Sequence, residues 1–152
     1  MDLYIVRHGE ALSGPVDAAR ELSDHGRREV NAVAEVLRAR GVSVRQIRHS
    51  GYERARDTAS LIGTVLDPPA GVIETPGIHP DDPVAPFALT LFGERESLML
   101  VGHLPFVARL VGMLTSGNST RTPVSFPTAT VACLRGEDDR WELAWTERAP
   151  QS

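Results

Sequence analysis

The chain has 152 residues, 41% of them hydrophobic and 24% charged, with a net charge of -4. This length sets the expectation of one domain over residues 1–152 with a real core, and the composition argues against disorder. No block of like charge and no apolar run of membrane-span length occurs, so neither a nucleic-acid surface nor a membrane span is expected. The single cysteine, Cys133, excludes an internal disulfide and a Cys-based zinc cluster, and within Thr130–Leu134 it reads as a buried structural thiol. The chain opens as a strand rather than a signal peptide, and a cytoplasmic location is expected.

Residues 2–7 are nearly continuously apolar, which predicts a strand buried on both faces, ending in Arg7-His8-Gly9-Glu10. Residues 11–23 contain Gly14-Pro15 and read as a surface loop, with Ser23 as N-cap of the next helix. Val30, Val33, Ala34 and Leu37 give that helix its apolar stripe, and Gly41 ends it. A second strand is expected over Val42–Ser50, diluted by Arg45, Gln46, Arg48 and His49. A helix over 53–66 follows, with Ala55, Ala59, Ile62, Val65 and Leu66 inward, and Asp67-Pro68-Pro69 stops it. Residues 68–83 are rich in Pro, Gly and Asp, with a short strand at 72–74. A helix over 84–93, a buried strand over 97–101 and a helical stripe from Phe106 to Leu114 come next. After a polar loop at 115–128, strands at 129–135 and 141–146 flank a turn at Gly136-Glu137-Asp138-Asp139. Trp141 and Trp145 alternate along the last strand and read as packing residues. Alternation of strand and helix predicts an α/β three-layer sandwich: a mostly parallel sheet, helices on both faces, and an antiparallel C-terminal edge.

In such sheets ligands bind beyond the carboxyl ends of the strands. Here the first strand ends in Arg7-His8. The second ends in Ser50, with Arg54 one helical turn later. The strand at 97–101 ends in Gly102-His103. Two arginines and two histidines at one sheet edge suit phosphoryl transfer to nitrogen. Guanidinium forks hold the phosphoryl oxygens, at roughly 1.5–3 kcal/mol per charged hydrogen bond. One imidazole attacks phosphorus and the other steadies a phosphoryl oxygen. There is no His-x-x-x-His pair and no carboxylate at ligand spacing, so neither a metal nor another cofactor is expected. Gly9 lets the backbone turn and approach a ligand.

These residues resemble the histidine phosphatase superfamily, which includes the phosphoglycerate mutases. Arg7-His8-Gly9-Glu10 is similar to its signature. Ser50 with Arg54-Ala55 and Thr58-Ala59 resembles its second motif, and Val101-Gly102-His103-Leu104-Pro105 its third. Length, and Arg20-Glu21-Leu22-Ser23 followed by Gly26, are most similar to the small bacterial phosphohistidine phosphatases. The resemblance implies a phosphoglycerate mutase-like fold, His8 as phosphorylated nucleophile, and Arg7, Arg54 and His103 as the phosphate pocket. It also implies that His8 attacks as neutral imidazole, with its second ring nitrogen donating to a backbone carbonyl. With an ordinary pKa of ~6.5, lowered by the neighbouring arginines, activity is expected to fall as pH drops through that value.

The chain departs from the superfamily where an alkoxide leaving group would need an acid. The segment offers Glu74, Asp81 and Asp82, with His79 nearby, and none stands in the mutase pattern. Asp82 or Asp81 is a possible general acid, but a turn or helix cap is the simpler reading. Without a strong acid, substrates with an easily expelled leaving group are favoured, above all protein phosphohistidine, so a histidine-phosphorylated signalling protein is the expected partner. The alternatives are a small-metabolite phosphomonoesterase of the same superfamily and a catalytically silent phosphate-binding module. Arg20 and Glu10 are candidate substrate-binding residues, against readings as a solvated loop charge and a loop cap. His49 is expected to mark an exposed strand.

Overall fold

The computed structural model describes residues 1–137 and 139–150. Asp138, within the turn expected between the last two strands, and residues 151–152, at the end of the expected domain, lie outside the described residues. Six strands form one sheet: β1 (Asp2–Arg7), β2 (Gln46–His49), β3 (Val72–Glu74), β4 (Leu98–Gly102), β5 (Val131–Glu137) and β6 (Arg140–Glu147). Their order across the sheet is β3-β2-β4-β1-β5-β6. The first four are mutually parallel, and β5 pairs antiparallel with both β1 and β6. The α/β reading with an antiparallel C-terminal edge therefore holds.

Side chains alternate along the central strands and feed two cores. Leu3, Ile5, Leu98 and Leu100 face one side, with Val84 and Phe87 of α3 (Val84–Thr90) and Phe106, Val107 and Leu110 of α4 (Phe106–Ser116). Tyr4, Val6, Met99 and Val101 face the other, with Val30, Val33 and Leu37 of α1 (Asp24–Ala39) and Ala55, Ala59 and Ile62 of α2 (Glu53–Leu66). This period of two explains why the strands read as unbroken apolar runs.

Helix ends follow local chemistry. Ser23 Oγ accepts from Gly26 N at 3.0 Å and caps α1. At the other end Val42 N bonds Leu37 O and Gly41 N bonds Arg38 O, the paired bonds of a Schellman cap.

Three expectations are corrected. The second strand covers only 46–49, because its neighbour β4 begins at Leu98, opposite Gln46, and leaves residues 42–45 without a partner strand. The fifth strand starts at Val131, two residues later than expected, since Ala129 sits in the left-handed region with φ 58. His49 is buried, not exposed. It lies on the inner strand β2, on the same side as Ile47, and its Nδ1 accepts from Gly51 N at 3.1 Å. The tryptophans do pack, but on opposite faces. A register shift between Cys133 and Leu134 lets Trp141 join the core of α3 and α4 while Trp145 joins that of α1 and α2.

Candidate active site

The site forms where neighbouring strands diverge. β1 and β4 pair side by side, yet the helices that follow them, α1 and α4, leave to opposite faces. This opens a crevice above their carboxyl ends. His8 and His103, just beyond β1 and β4, meet there with ring centroids 5.1 Å apart. His8 Nδ1 lies 2.7 Å from the carbonyl oxygen of Gly9. A carbonyl only accepts, so Nδ1 carries the ring proton and Nε2 keeps its lone pair. Arg54, in the first turn of α2, directs its Nε–H to that Nε2 at 3.3 Å. Burial pushes the His8 pKa down to about 4. The hydrogen bond to Gly9 opposes the fall, and the charges of Arg54, Arg7 and Arg20 deepen it. Like-charge repulsion thus contributes, but desolvation is the larger cause.

His103 is 1% exposed, and its pKa falls to about 3, from burial first, then from its coupling to His8 and the charge of Arg54, with Asp17 opposing. Its Nε2 is 2.6 Å from Ser50 Oγ, which also accepts from Tyr52 N at 3.3 Å. When the Ser50 hydroxyl donates to Nε2, the His103 ring proton sits on Nδ1. That Nδ1 and the Nε of Arg7 are both buried with no hydrogen-bond partner. Arg7 is anchored at its other end, with Nη1 donating to Phe126 O at 2.8 Å. Two buried nitrogens without partners beside a neutral histidine, one of them an arginine N–H and the other a donor in the Nδ1–H tautomer, fit an anion, since buried polar groups normally find partners.

Around these four residues the structure arranges a supporting ring that residue spacing did not reveal. Thr58, 0% exposed, accepts from Gly9 N at 3.0 Å and donates to Arg54 O at 2.7 Å, so it ties the first motif to the second. Its signal was its place in the Thr58-Ala59 pair. Tyr52 packs its ring against His103 and His79, with centroid distances of 4.9 and 5.1 Å. Asp17, in a 3-10 turn of the 11–23 loop, bonds Arg54 directly. Nothing at its position in the sequence announces a partner 37 residues away.

The remaining candidates fall outside the core four. Glu10 Oε1 accepts from Ser23 Oγ at 2.9 Å, so its carboxylate ties the loop to the start of α1. Arg20 bonds Leu12 O at 2.7 Å and Asp17 Oδ1 at 3.0 Å, within the loop at the edge of the site. Asp82 Oδ2 accepts from His79 N at 2.8 Å, which is a turn contact, and Asp81 is exposed. The N-cap of α3 is Pro83, with no side-chain cap bond. Among the described residues no group of three or more His, Cys, Asp or Glu side chains is arranged to hold a metal ion. A cavity of about 730 Å3, lined by Met1, Leu89, Phe92, Met113 and Trp141 among others, lies at the opposite end of the sheet and includes none of the site residues. No helix among the described residues is long and apolar enough to cross a membrane.

The fold and crevice define an α/β protein with its candidate site at the carboxyl edge of a mostly parallel sheet. The family profile for the histidine phosphatase superfamily (branch 1) matches residues 3–79, just over half of the chain, and the chain belongs to that superfamily. Among solved structures it is similar to the protein histidine phosphatase SixA complexed with tungstate, at 28% identity and a TM-score of 0.87, covering 97% of both chains. A protein assigned as the phosphohistidine phosphatase SixA in Agrobacterium tumefaciens shares the fold at 24% identity and a TM-score of 0.80, covering 98% of this chain and 97% of that one. A mycobacterial glucosyl-3-phosphoglycerate phosphatase complexed with VO3 shares it at 22% identity and a TM-score of 0.72, with 95% and 98% covered. No curated protein sequence matches the chain.

Proposed function

We propose that this chain is a phosphatase that acts on protein phosphohistidine through a phosphorylated His8. The observation that carries the reading is the His8 ring itself. Burial and the neighbouring arginines hold it neutral and Gly9 O fixes its tautomer, with Nε2 facing Arg54 and the unpartnered nitrogens of His103 and Arg7 nearby. In the first step the Nε2 lone pair attacks phosphorus. The substrate P–N bond breaks, its electron pair stays on the departing imidazole nitrogen, and that nitrogen takes a proton from solvent. Arg7, Arg54 and His103 hold the phosphoryl oxygens as charge builds. In the second step water attacks the phosphorus on His8, releases its proton to solvent, and frees inorganic phosphate and His8. Splitting the reaction replaces one difficult displacement by two easier ones.

The choice of a P–N substrate rests on the leaving group. Asp82 is engaged with the backbone of His79, and Asp81 has no hydrogen bond to the core residues. An alkoxide needs a proton that these groups are poorly set to deliver, whereas imidazole leaves readily. Similarity to a protein histidine phosphatase supports the same substrate class. On this reading the protein works as one domain in the cytoplasm, and its partner is a histidine-phosphorylated signalling protein. The test is a rapid quench after mixing with a labelled phosphohistidine protein. Acid-labile label on His8, absent in His8→Ala, is the expected result. Phosphohistidine turned over no faster than an alkyl phosphate would favour a metabolite phosphomonoesterase instead. No label and no turnover of any phosphorylated substrate would leave a silent phosphate-binding module.

A further inference from the structure

Arg54 is the best-connected side chain in the crevice, and its bonds divide by edge. A guanidinium has an end edge, formed by the two terminal nitrogens, and a side edge that includes Nε. The end edge is gripped by one residue: Nη1 donates to the backbone oxygen of Asp17 at 2.8 Å and Nη2 to its carboxylate at 3.3 Å. The side edge faces His8, with Nε 3.3 Å from Nε2. Asp17 is itself held. Its other carboxylate oxygen takes Arg20 Nη1 at 3.0 Å, and Arg20 Nε bonds Leu12 O at 2.7 Å. The loop that carries it is pinched at its base by a bridge between Ala11 and Leu22 and a bond from Leu12 N to Glu21 O. The Asp17 side chain is 58% exposed, while that of Arg54 is 6% exposed. With its carboxylate largely in solvent, the pair is screened on one side and adds only modestly to stability, so its use is sought in geometry.

We propose that Asp17 is a positioning residue that holds the end edge of the Arg54 guanidinium and so keeps the side edge against His8. In this arrangement the Nε side of Arg54 meets a phosphoryl group already aligned, without losing orientational freedom at the moment of reaction. The chemistry of the proposal rests on the phosphatase reading above. Its geometry does not, and the two fail in different experiments.

The test compares Asp17→Ala, Asp17→Asn and wild type. Removing a carboxylate that faces an anionic substrate eases binding electrostatically, whereas releasing Arg54 slows the chemical step. The expected result for Asp17→Ala is therefore kcat reduced tenfold or more with KM unchanged or lower. Asp17→Asn keeps an acceptor and should recover part of kcat. A kcat within twofold of wild type, or a raised KM with kcat intact, overturns the proposal. A second measurement needs no turnover: titration of the His8 ring by 15N NMR. The charged and titratable groups around His8 are Arg7, Arg20, Arg54, His103 and Asp17. Simple loss of the Asp17 charge lowers the His8 pKa further. Departure of Arg54 raises it, because a cation and a donor to Nε2 are both withdrawn. An upward shift in Asp17→Ala supports the positioning role, and no shift or a downward one overturns it. Wild type without label or turnover would instead sink the phosphatase reading and leave the NMR result standing.

Discussion

At the scale of single residues, His8 must solve two opposed problems. As the proposed nucleophile it has to stay neutral among cations, yet be near enough to them to share a phosphoryl group. Burial and the charges of Arg54, Arg7 and Arg20 all act against the imidazolium, and only the bond to Gly9 O favours it. With the pKa lowered to about 4, nearly every molecule carries the neutral ring at pH 7. The sign follows: activity is present above that value and is lost as pH falls through it. The profile of kcat/KM on an aryl phosphate, corrected for the substrate's own titration, should show its enzyme limb well below 6. An enzyme limb near 6.5 would mean that His8 is not desolvated as described. A rate still climbing above neutrality would remove His8 as the neutral nucleophile. Cys133 marks the contrast, because burial raises its thiol pKa to about 11 and keeps it an inert packing residue.

At the scale of elements, the first motif is held by how closely α1 approaches it. A Cβ on Gly9 would stand 2.7 Å from Val30 Cγ2 and 3.2 Å from Gly26 O, and a Cβ on Gly26 would overlap the Glu10 carbonyl oxygen. The two glycines let the strand end and the helix start touch, so Gly9 serves helix packing more directly than a ligand. Gly9→Ala should cost about 1–3 kcal/mol through overpacking. Calorimetry should find a melting point several degrees lower, and kcat should fall with it, because Gly9 O orients His8. A variant that melts and turns over like wild type would refute this packing role. The helices, their caps and the three strand ends were legible in the sequence because each rests on local spacing: a 3.6-residue stripe, Ser23, Gly41, a run of apolar residues closing on Arg or His. What was not legible depends on distant partners. His49 looked exposed because β2 is polar, but β3 covers its outer side and makes it an inner strand. Packing by the tryptophans was legible, but their separation onto two faces was not, because the bulge that separates them lies in the pairing, not in the residues. Asp17 sits in an exposed loop and gains its meaning only when α2 brings Arg54 to it.

At the scale of the whole molecule, gathering neutral histidines at one edge of the sheet ties folding to pH. His8 and His103 have pKa values lowered to about 4 and about 3, and that of His49 is lowered too, each first by burial. In the unfolded chain the same rings titrate near ~6.5. The unfolded state therefore binds protons first as pH falls, and these rings favour folding fully only above that value. Their contribution is lost progressively from about 6.5 down through the folded pKa values. Each unit of separation is worth about 1.4 kcal/mol, so the loss amounts to several kcal/mol, a large part of a typical domain's 5–15 kcal/mol. Urea midpoints should accordingly be flat from pH 8 to 7 and fall steeply between 6.5 and 5, above the range where most carboxylates titrate. The slope, rather than the midpoint, is the diagnostic, because replacing a buried ring also changes packing. In the double variant His8→Gln, His103→Gln the slope between 6.5 and 5 should flatten, whatever happens to the midpoint at pH 7.5. Parallel curves for wild type and double variant would mean that the two rings are solvated in the folded protein. A desolvated pocket that keeps His8 neutral for attack would then be the wrong account of how this sheet edge works.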